Sequence, residues 1–154
     1  MAPSQGAPQE RPVRRRALLV FAIVTAAWCG VGVAQALPFV VTDALWQLQR
    51  IQYMDDAVTV PAEPTRYTVR LGIDGSVQVR ADCNRGVGQY EAEGSGLRFL
   101  PIALTRALCP PDSIDSEFVR ELSNVVSYVF QDGVLALATA LDTSILLFEA
   151  AAEK

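Results

Sequence analysis

Tyr67-Thr68-Val69-Arg70-Leu71-Gly72-Ile73-Asp74-Gly75-Ser76-Val77-Gln78-Val79-Arg80-Ala81 is the stretch that decides the fold. Tyr67, Val69 and Leu71 alternate with Thr68 and Arg70, and Val77, Val79 and Ala81 alternate with Gln78 and Arg80. This is the two-residue period of half-buried strands. Keeping both apolar sets on one face requires Leu71 opposite Val77, Val69 opposite Val79 and Tyr67 opposite Ala81. That register leaves the three-residue loop Ile73-Asp74-Gly75, with glycine at the position that wants a left-handed backbone. A two-residue Asp74-Gly75 turn would set Leu71 against Gln78 and mix the faces.

Working outward, Trp46-Gln47-Leu48 begins a similar alternation, and residues 54–64, with Asp55-Asp56 and two prolines, read as a loop or irregular edge. Gly88-Gln89-Tyr90 and Gly96-Leu97-Arg98-Phe99 read as short strands around a Glu93-Gly94-Ser95-Gly96 turn. Over residues 112–126 the period changes: Ile114, Phe118, Leu122 and Val125/Val126 form one helical stripe. Asp112 or Ser113 is placed to cap it, and Asp115 and Glu117 complement the dipole of its first turn. Tyr128-Val129-Phe130, a Gln131-Asp132-Gly133 turn and Val134–Leu137 repeat the first hairpin's design. Ile145–Phe148 is the last strand. Short strands, Asp-Gly turns and one helix predict a mainly β protein, a small barrel or sandwich. Trp46, Phe99, Phe118, Phe130 and Phe148 are its expected core.

The chain has 154 residues, 51% hydrophobic and 19% charged, with a net charge of −4. This suits one folded domain rather than a disordered chain, and the acidic balance argues against a nucleic-acid partner. Histidine is absent, which removes Ser-His-Asp and Cys-His catalysis and His-ligated zinc. The charge is uneven: Arg11, Arg14, Arg15 and Arg16 stand against Glu10 before an apolar run from Ala17 to Trp28 and a small-residue site at Ala34-Gln35-Ala36. That order predicts an export signal over 1–36, cleaved before Leu37. An uncleaved anchor over 17–34 competes with it, and would be the chain's one attachment to a membrane. Arg15-Arg16 suggests the twin-arginine route. Cys29 would suggest a lipoprotein, but bulky Trp28 precedes it. Each variant puts the folded part outside the cytoplasm, periplasmic or secreted if cleaved and on the inner membrane if not.

Three further stretches carry a family resemblance. They are Trp46-x-Leu48-x-x-Ile51, then Tyr67-Thr68-Val69, and Ala81-Asp82-Cys83-Asn84-Arg85-Gly86-x-Gly88-x-Tyr90 after Asp74-Gly75. Leu97-x-Phe99, Ile102-Ala103-x-Thr105-Arg106-Ala107-x-Cys109, Glu117-Phe118 with Leu122, and Asp132-Gly133-x-Leu135-x-Leu137 continue the pattern. Together they resemble the META domain of HslJ-type bacterial envelope proteins. The resemblance implies a small, partly open, lipocalin-like antiparallel β-barrel with one α-helix packed across it. It also implies a periplasmic or outer-membrane-associated protein linked to envelope stress and antibiotic tolerance. The expected organisation is a signal over 1–36, a lead-in over 37–45, the domain over 46–149 and a tail over 150–154. Asp142-Thr143-Ser144 stands where the family often carries glycine before its last strand.

Cys83 and Cys109 are the cysteines left after processing, and in an oxidising compartment an even count reads as a disulfide. A catalytic thiol would lack a histidine base, and two cysteines leave a zinc site short of ligands. Asp82, Asn84, Arg85 and Tyr90 flank Cys83. Gly86-Val87-Gly88 could form an anion-binding nest with Arg85 as counter-charge. Because no helix start follows, the preferred reading is a sharp strand connection. In it Asn84 bonds backbone, and Gly86 and Gly88 supply positive φ. Asp112, Asp115 and Glu117 fit a helix N-terminus better than a calcium or acid–base site. Thr105 and Arg106 either orient the loop before Cys109 or contact a partner. The functional expectation is a non-enzymatic envelope protein without a cofactor, acting through a binding surface on an envelope protein. The alternative is a carrier of a small apolar ligand or lipid inside the barrel. A hydrolase is the weakest reading, since no nucleophile–base pair can be assembled.

Overall fold

The hairpin that decides the fold forms as its side-chain pattern requires. In the computed structural model, which describes residues 41–152, β3 (Tyr67–Leu71) and β4 (Ser76–Ala81) pair antiparallel. Leu71 stands opposite Val77, Val69 opposite Val79 and Tyr67 opposite Ala81. Gly75 has φ +81° and closes the three-residue loop, its N–H donating to the Gly72 carbonyl at 3.1 Å. The expected export signal over 1–36 with its expected cleavage site, Cys29, and the start of the expected lead-in lie outside the described residues.

The other strands are β1 (Leu45–Tyr53), β2 (Val58–Thr59), β5 (Asn84–Glu93), β6 (Gly96–Phe99), β7 (Ala103–Leu104), β8 (Val125–Gln131), β9 (Val134–Thr139) and β10 (Ser144–Ala150). Neighbours run β10-β9-β8-β6-β5-β4-β3-β1, and β10 pairs with β1 to close an eight-stranded antiparallel barrel. The ring is thinnest between β6 and β8, where Gly96–Ser127 is the strand pair and the Tyr128 N–H adds a bond to Ser95. β2 extends the edge of β1, and β7 pairs with β5.

One face of every barrel strand points inward, and the interior is filled. Trp46, Leu48, Ile51, Leu71, Leu97, Leu135, Leu137, Leu146 and Phe148 are all less than 2% exposed. Burial on this scale is the main favourable term in folding. A bulge in β1 between Leu48 and Arg50 turns both Leu48 and Ile51 inward although they lie three residues apart. The Trp46 indole donates to the Val41 carbonyl at 2.9 Å. The end of the lead-in is therefore part of the packed domain, and Val41 is fully buried. Phe99 and Phe130 pack on the core only partly buried.

The helix α1 (Asp115–Ser123) lies across one end of the barrel, shorter than its sequence stripe. Val125 is buried at the start of β8, so its apolar character serves a strand. Ile114, rather than Asp112 or Ser113, takes the cap position, without a side-chain cap bond. Ser113 Oγ accepts from the Asp115 N–H at 3.2 Å. Phe118 enters the barrel mouth, edge-on to Tyr67 at 5.8 Å and tilted against Phe148 at 6.2 Å. The second hairpin differs from the first. Gln131 pairs with Val134, so the loop is Asp132-Gly133, both at positive φ. That is the two-residue turn whose twist matches the strands.

Candidate functional site

The chain reverses between β4 and β5 at Asp82-Cys83. Asp82 has φ +56°, a left-handed backbone that aspartate tolerates better than most residues. Gly86 and Gly88 do not supply that turn; both sit within β5, and neither is among the positive-φ glycines. Space explains them instead. A Cβ on Gly86 would lie 2.8 Å from Ile102 Cγ2 and from Leu104 Cγ, and one on Gly88 would lie 3.2 Å from the Ile102 Cα. The glycines let the 101–105 segment press against β5. They form no nest, since their N–H groups belong to an extended strand.

Asn84 is the centre of the cluster and is 6% exposed. Its Oδ1 accepts from the Ala107 N–H at 2.7 Å and from Thr105 Oγ1 at 3.1 Å. Its Nδ2 faces three acceptors: the Ala107 carbonyl at 3.1 Å, Cys109 Sγ at 3.3 Å and Asp115 Oδ2 at 3.3 Å. Cys83 and Cys109 are joined by a disulfide with their Cα atoms 5.6 Å apart. One amide side chain thus ties β5, the 105–109 segment, the bridge and the first turn of α1 together. Thr105 Oγ1 also accepts from the Arg85 N–H at 3.0 Å, so Thr105 orients its loop. Arg106 is exposed and pairs with nothing among the described residues.

Asp82 is 3% exposed, and its carboxylate is ion-paired with Arg66. Arg66 was not evident from the sequence, because the turn of 3-10 helix that carries it (Pro64–Arg66) has no motif. Three more polar contacts pin α1 to the barrel rim. Tyr53 Oη donates to Glu117 at 2.6 Å, the Ile114 N–H donates to Tyr67 Oη at 3.1 Å, and Ser144 Oγ donates to buried Glu121 at 2.7 Å. Burial, and then the Glu117 hydrogen bond, push the Tyr53 phenol up to about 12. Tyr90 Oη donates to the Gly72 carbonyl at 2.7 Å, linking β5 to the first loop, and burial raises its pKa. Asp82, Asn84, Gly86, Gly88, Tyr90 and Thr105 therefore act within the fold. Arg85 and Arg106 project from it.

A concavity of about 770 Å³ lies on the outside of the barrel over β3, β4 and β5 and is lined in part by Arg70, Arg80 and Arg85. A smaller one of about 560 Å³ lies between the 102–108 segment and α1. Among the described residues no group of three or more Cys, Asp or Glu side chains could hold a metal ion. No described helix is long and apolar enough to cross a membrane.

An eight-stranded antiparallel barrel stopped at one end by a helix, with a disulfide beside an asparagine hub, defines the class. Residues 40–152 match the META domain, and the chain belongs to that family. Two solved structures share the fold. The NMR structure of a protein from Burkholderia xenovorans aligns at TM-score 0.62 and 18% identity, over 74% of this chain and 86% of that one. The crystal structure of a DUF4847-family protein from Bacteroides vulgatus aligns at TM-score 0.53 and 13% identity, over 74% and 96%. No curated protein sequence matches.

Proposed function

We propose that this META-domain protein is a non-enzymatic, exported envelope protein that acts through its outer surface in envelope maintenance or stress tolerance. The observation that carries the reading is the filled interior. Trp46, Phe118, Phe148 and the inward aliphatics occupy the space that a barrel-enclosed ligand would need. The same packing argues against carriage of an apolar ligand inside the barrel. The disulfide is compatible with an oxidising compartment, and the likeness to HslJ-type proteins supports the envelope role. The polar cluster around Asn84 is consumed by structural bonds, leaving no activated nucleophile with its base.

The test is genetic. In its own host, deletion of the gene should sensitise cells to detergent and to bulky apolar antibiotics. Expression of the full chain should restore tolerance, and a form retained in the cytoplasm by removal of residues 1–36 should not. Rescue by the retained form, or wild-type tolerance after deletion, would refute the proposal. Turnover by the purified protein that disappears with Asp82→Asn, Arg85→Gln or Asp112→Asn would refute its non-enzymatic part.

A further inference from the structure

We infer that the outward groove over β3, β4 and β5 binds a small amphiphile with a phosphate head and an apolar body. The inference deepens the surface-binding reading by naming the ligand class, and rests on it.

The pleat sets three guanidinium groups on one face. Arg80 stands directly opposite Arg85 in the β4–β5 ladder, and Arg70 opposite Gln78 in the β3–β4 ladder. Like charges directly opposite are unfavourable in a sheet. Relief is partial: Arg80 donates to the Asp82 and Thr65 carbonyls at 3.2 and 3.3 Å. Arg70 and Arg85 have no ion-pair partner among the described residues. No carboxylate among the described residues lines the groove; Asp43 and Asp74 occupy an adjoining cleft beyond Arg70 without an ion pair to it. In a chain of net charge −4, this is a concentrated positive field on a concave surface.

The groove is apolar between its cations. Leu45, Val87 and Ala103 contribute to its lining, and Val87 is 62% exposed. Its volume of about 770 Å³ falls in the range of small-molecule sites. Guanidinium forks match phosphate oxygens in geometry and charge. A phosphomonoester head can engage two or three of them while an alkyl body covers Val87 and Ala103.

The test is an amide chemical-shift titration of the protein purified as its host processes it, using decyl phosphate below its micelle concentration. Shifts should centre on Thr68, Gln78, Val87 and Ala103. Inorganic phosphate and decyl maltoside, carrying head and tail separately, should each bind at least about tenfold more weakly. Arg70→Gln/Arg85→Gln should weaken decyl phosphate by about tenfold or more without lowering the unfolding midpoint, because neither side chain holds the fold together and the exchange removes the charge opposite Arg80. Equal binding of decyl maltoside, unchanged affinity of the double variant, or shifts elsewhere would overturn the inference. So would binding to phosphatidylglycerol vesicles with none to decyl phosphate, which would make the face a membrane-surface contact. Failure here with successful genetic rescue would remove the groove and leave the surface-binding reading standing.

Discussion

Gly86→Ala separates two explanations of the same glycine. If Gly86 were needed for an unusual backbone, alanine would strain the chain wherever its neighbours stood. Its φ is not positive, and in a strand the exchange should by itself favour folding by about 0.5–1 kcal/mol. The obstacle is the new methyl, 2.8 Å from both Ile102 Cγ2 and Leu104 Cγ and 3.0 Å from Leu104 Cδ2. Leu104 Cγ is a branch point and the other two are methyl groups of packed side chains, so Ile102 and Leu104 must shift together with the β5–β7 pairing. Overpacking of this kind costs about 1–3 kcal/mol, leaving a net loss centred on about 1.3 kcal/mol. In a domain of this size that lowers the melting temperature by about 5–10 °C. Thermal unfolding of Gly86→Ala, Leu104→Ala and the double variant completes the cycle. Removing the Leu104 branch should relieve part of the overlap, the contact with Ile102 Cγ2 remaining, with a favourable coupling of about 1 kcal/mol. Gly88→Ala is the contrast: its methyl would meet the Ile102 Cα at 3.2 Å and the Pro101 carbonyl at 3.3 Å, backbone atoms that trimming Leu104 does not move. A Gly86→Ala protein as stable as the parent, or one that Leu104→Ala does nothing to relieve, would refute the close-approach account.

Breaking the 26-residue loop with Cys83→Ala/Cys109→Ala should cost about 3.5 kcal/mol from chain entropy. At an m-value of about 1.5 kcal/mol/M the urea midpoint then falls by about 2 M, and reduced wild type should unfold with the double variant. Asn84→Ala removes the bonds that hold residues 105–109 and should cost about 2–3 kcal/mol by chemical denaturation. Asn84→Asp sets a carboxylate against Asp115 and should recover part of its loss on acidification. The Tyr53 phenol is raised from 10 to about 12, so its contribution is complete below pH 10 and is lost as pH rises through 12. Tyr53→Phe should flatten that alkaline decline in stability, and phenolate absorbance should show one tyrosine fewer titrating late.

Where periodicity and turn chemistry agree, the structure was legible residue by residue. The β3–β4 register, the Gly75 turn and the inward set of Tyr67, Val69 and Leu71 follow from local alternation that tertiary packing reinforces. Leu48 and Ile51 were visible as a pair, though nothing local shows that a bulge turns both inward. The helix ran too long on paper because Val125 satisfies a helical stripe and a strand face equally well. Gly86 and Gly88 were misread because a glycine needed for φ and a glycine needed for clearance look alike until the segment beyond it, here Ile102 and Leu104, is placed. The Asn84 cluster was signalled by its motif, but its partners lie more than 20 residues away, and Asp82 pairs with the hidden Arg66 16 residues before it. Arg70 and Arg80 were predictable as outward from the alternation, whereas Arg85 was read in a connection and stands instead in β5. Their convergence required the ladder between β4 and β5.

The thin junction between β6 and β8 gives this ring the mechanics of a rolled strip. Every other neighbouring pair in the circuit shares several ladder positions, whereas here Gly96–Ser127 and the bond from Tyr128 to Ser95 bear the closure. Parting there breaks the fewest hydrogen bonds, so local opening concentrates at this place and the amides of Ser127 and Tyr128 should exchange ahead of those in β3 and β4. An opened junction bares two strand edges, a template for pairing with another chain. Arg98 and Glu91, ion-paired across β5 and β6, put charge beside that edge, so intermolecular strand addition there must first accommodate a desolvated pair.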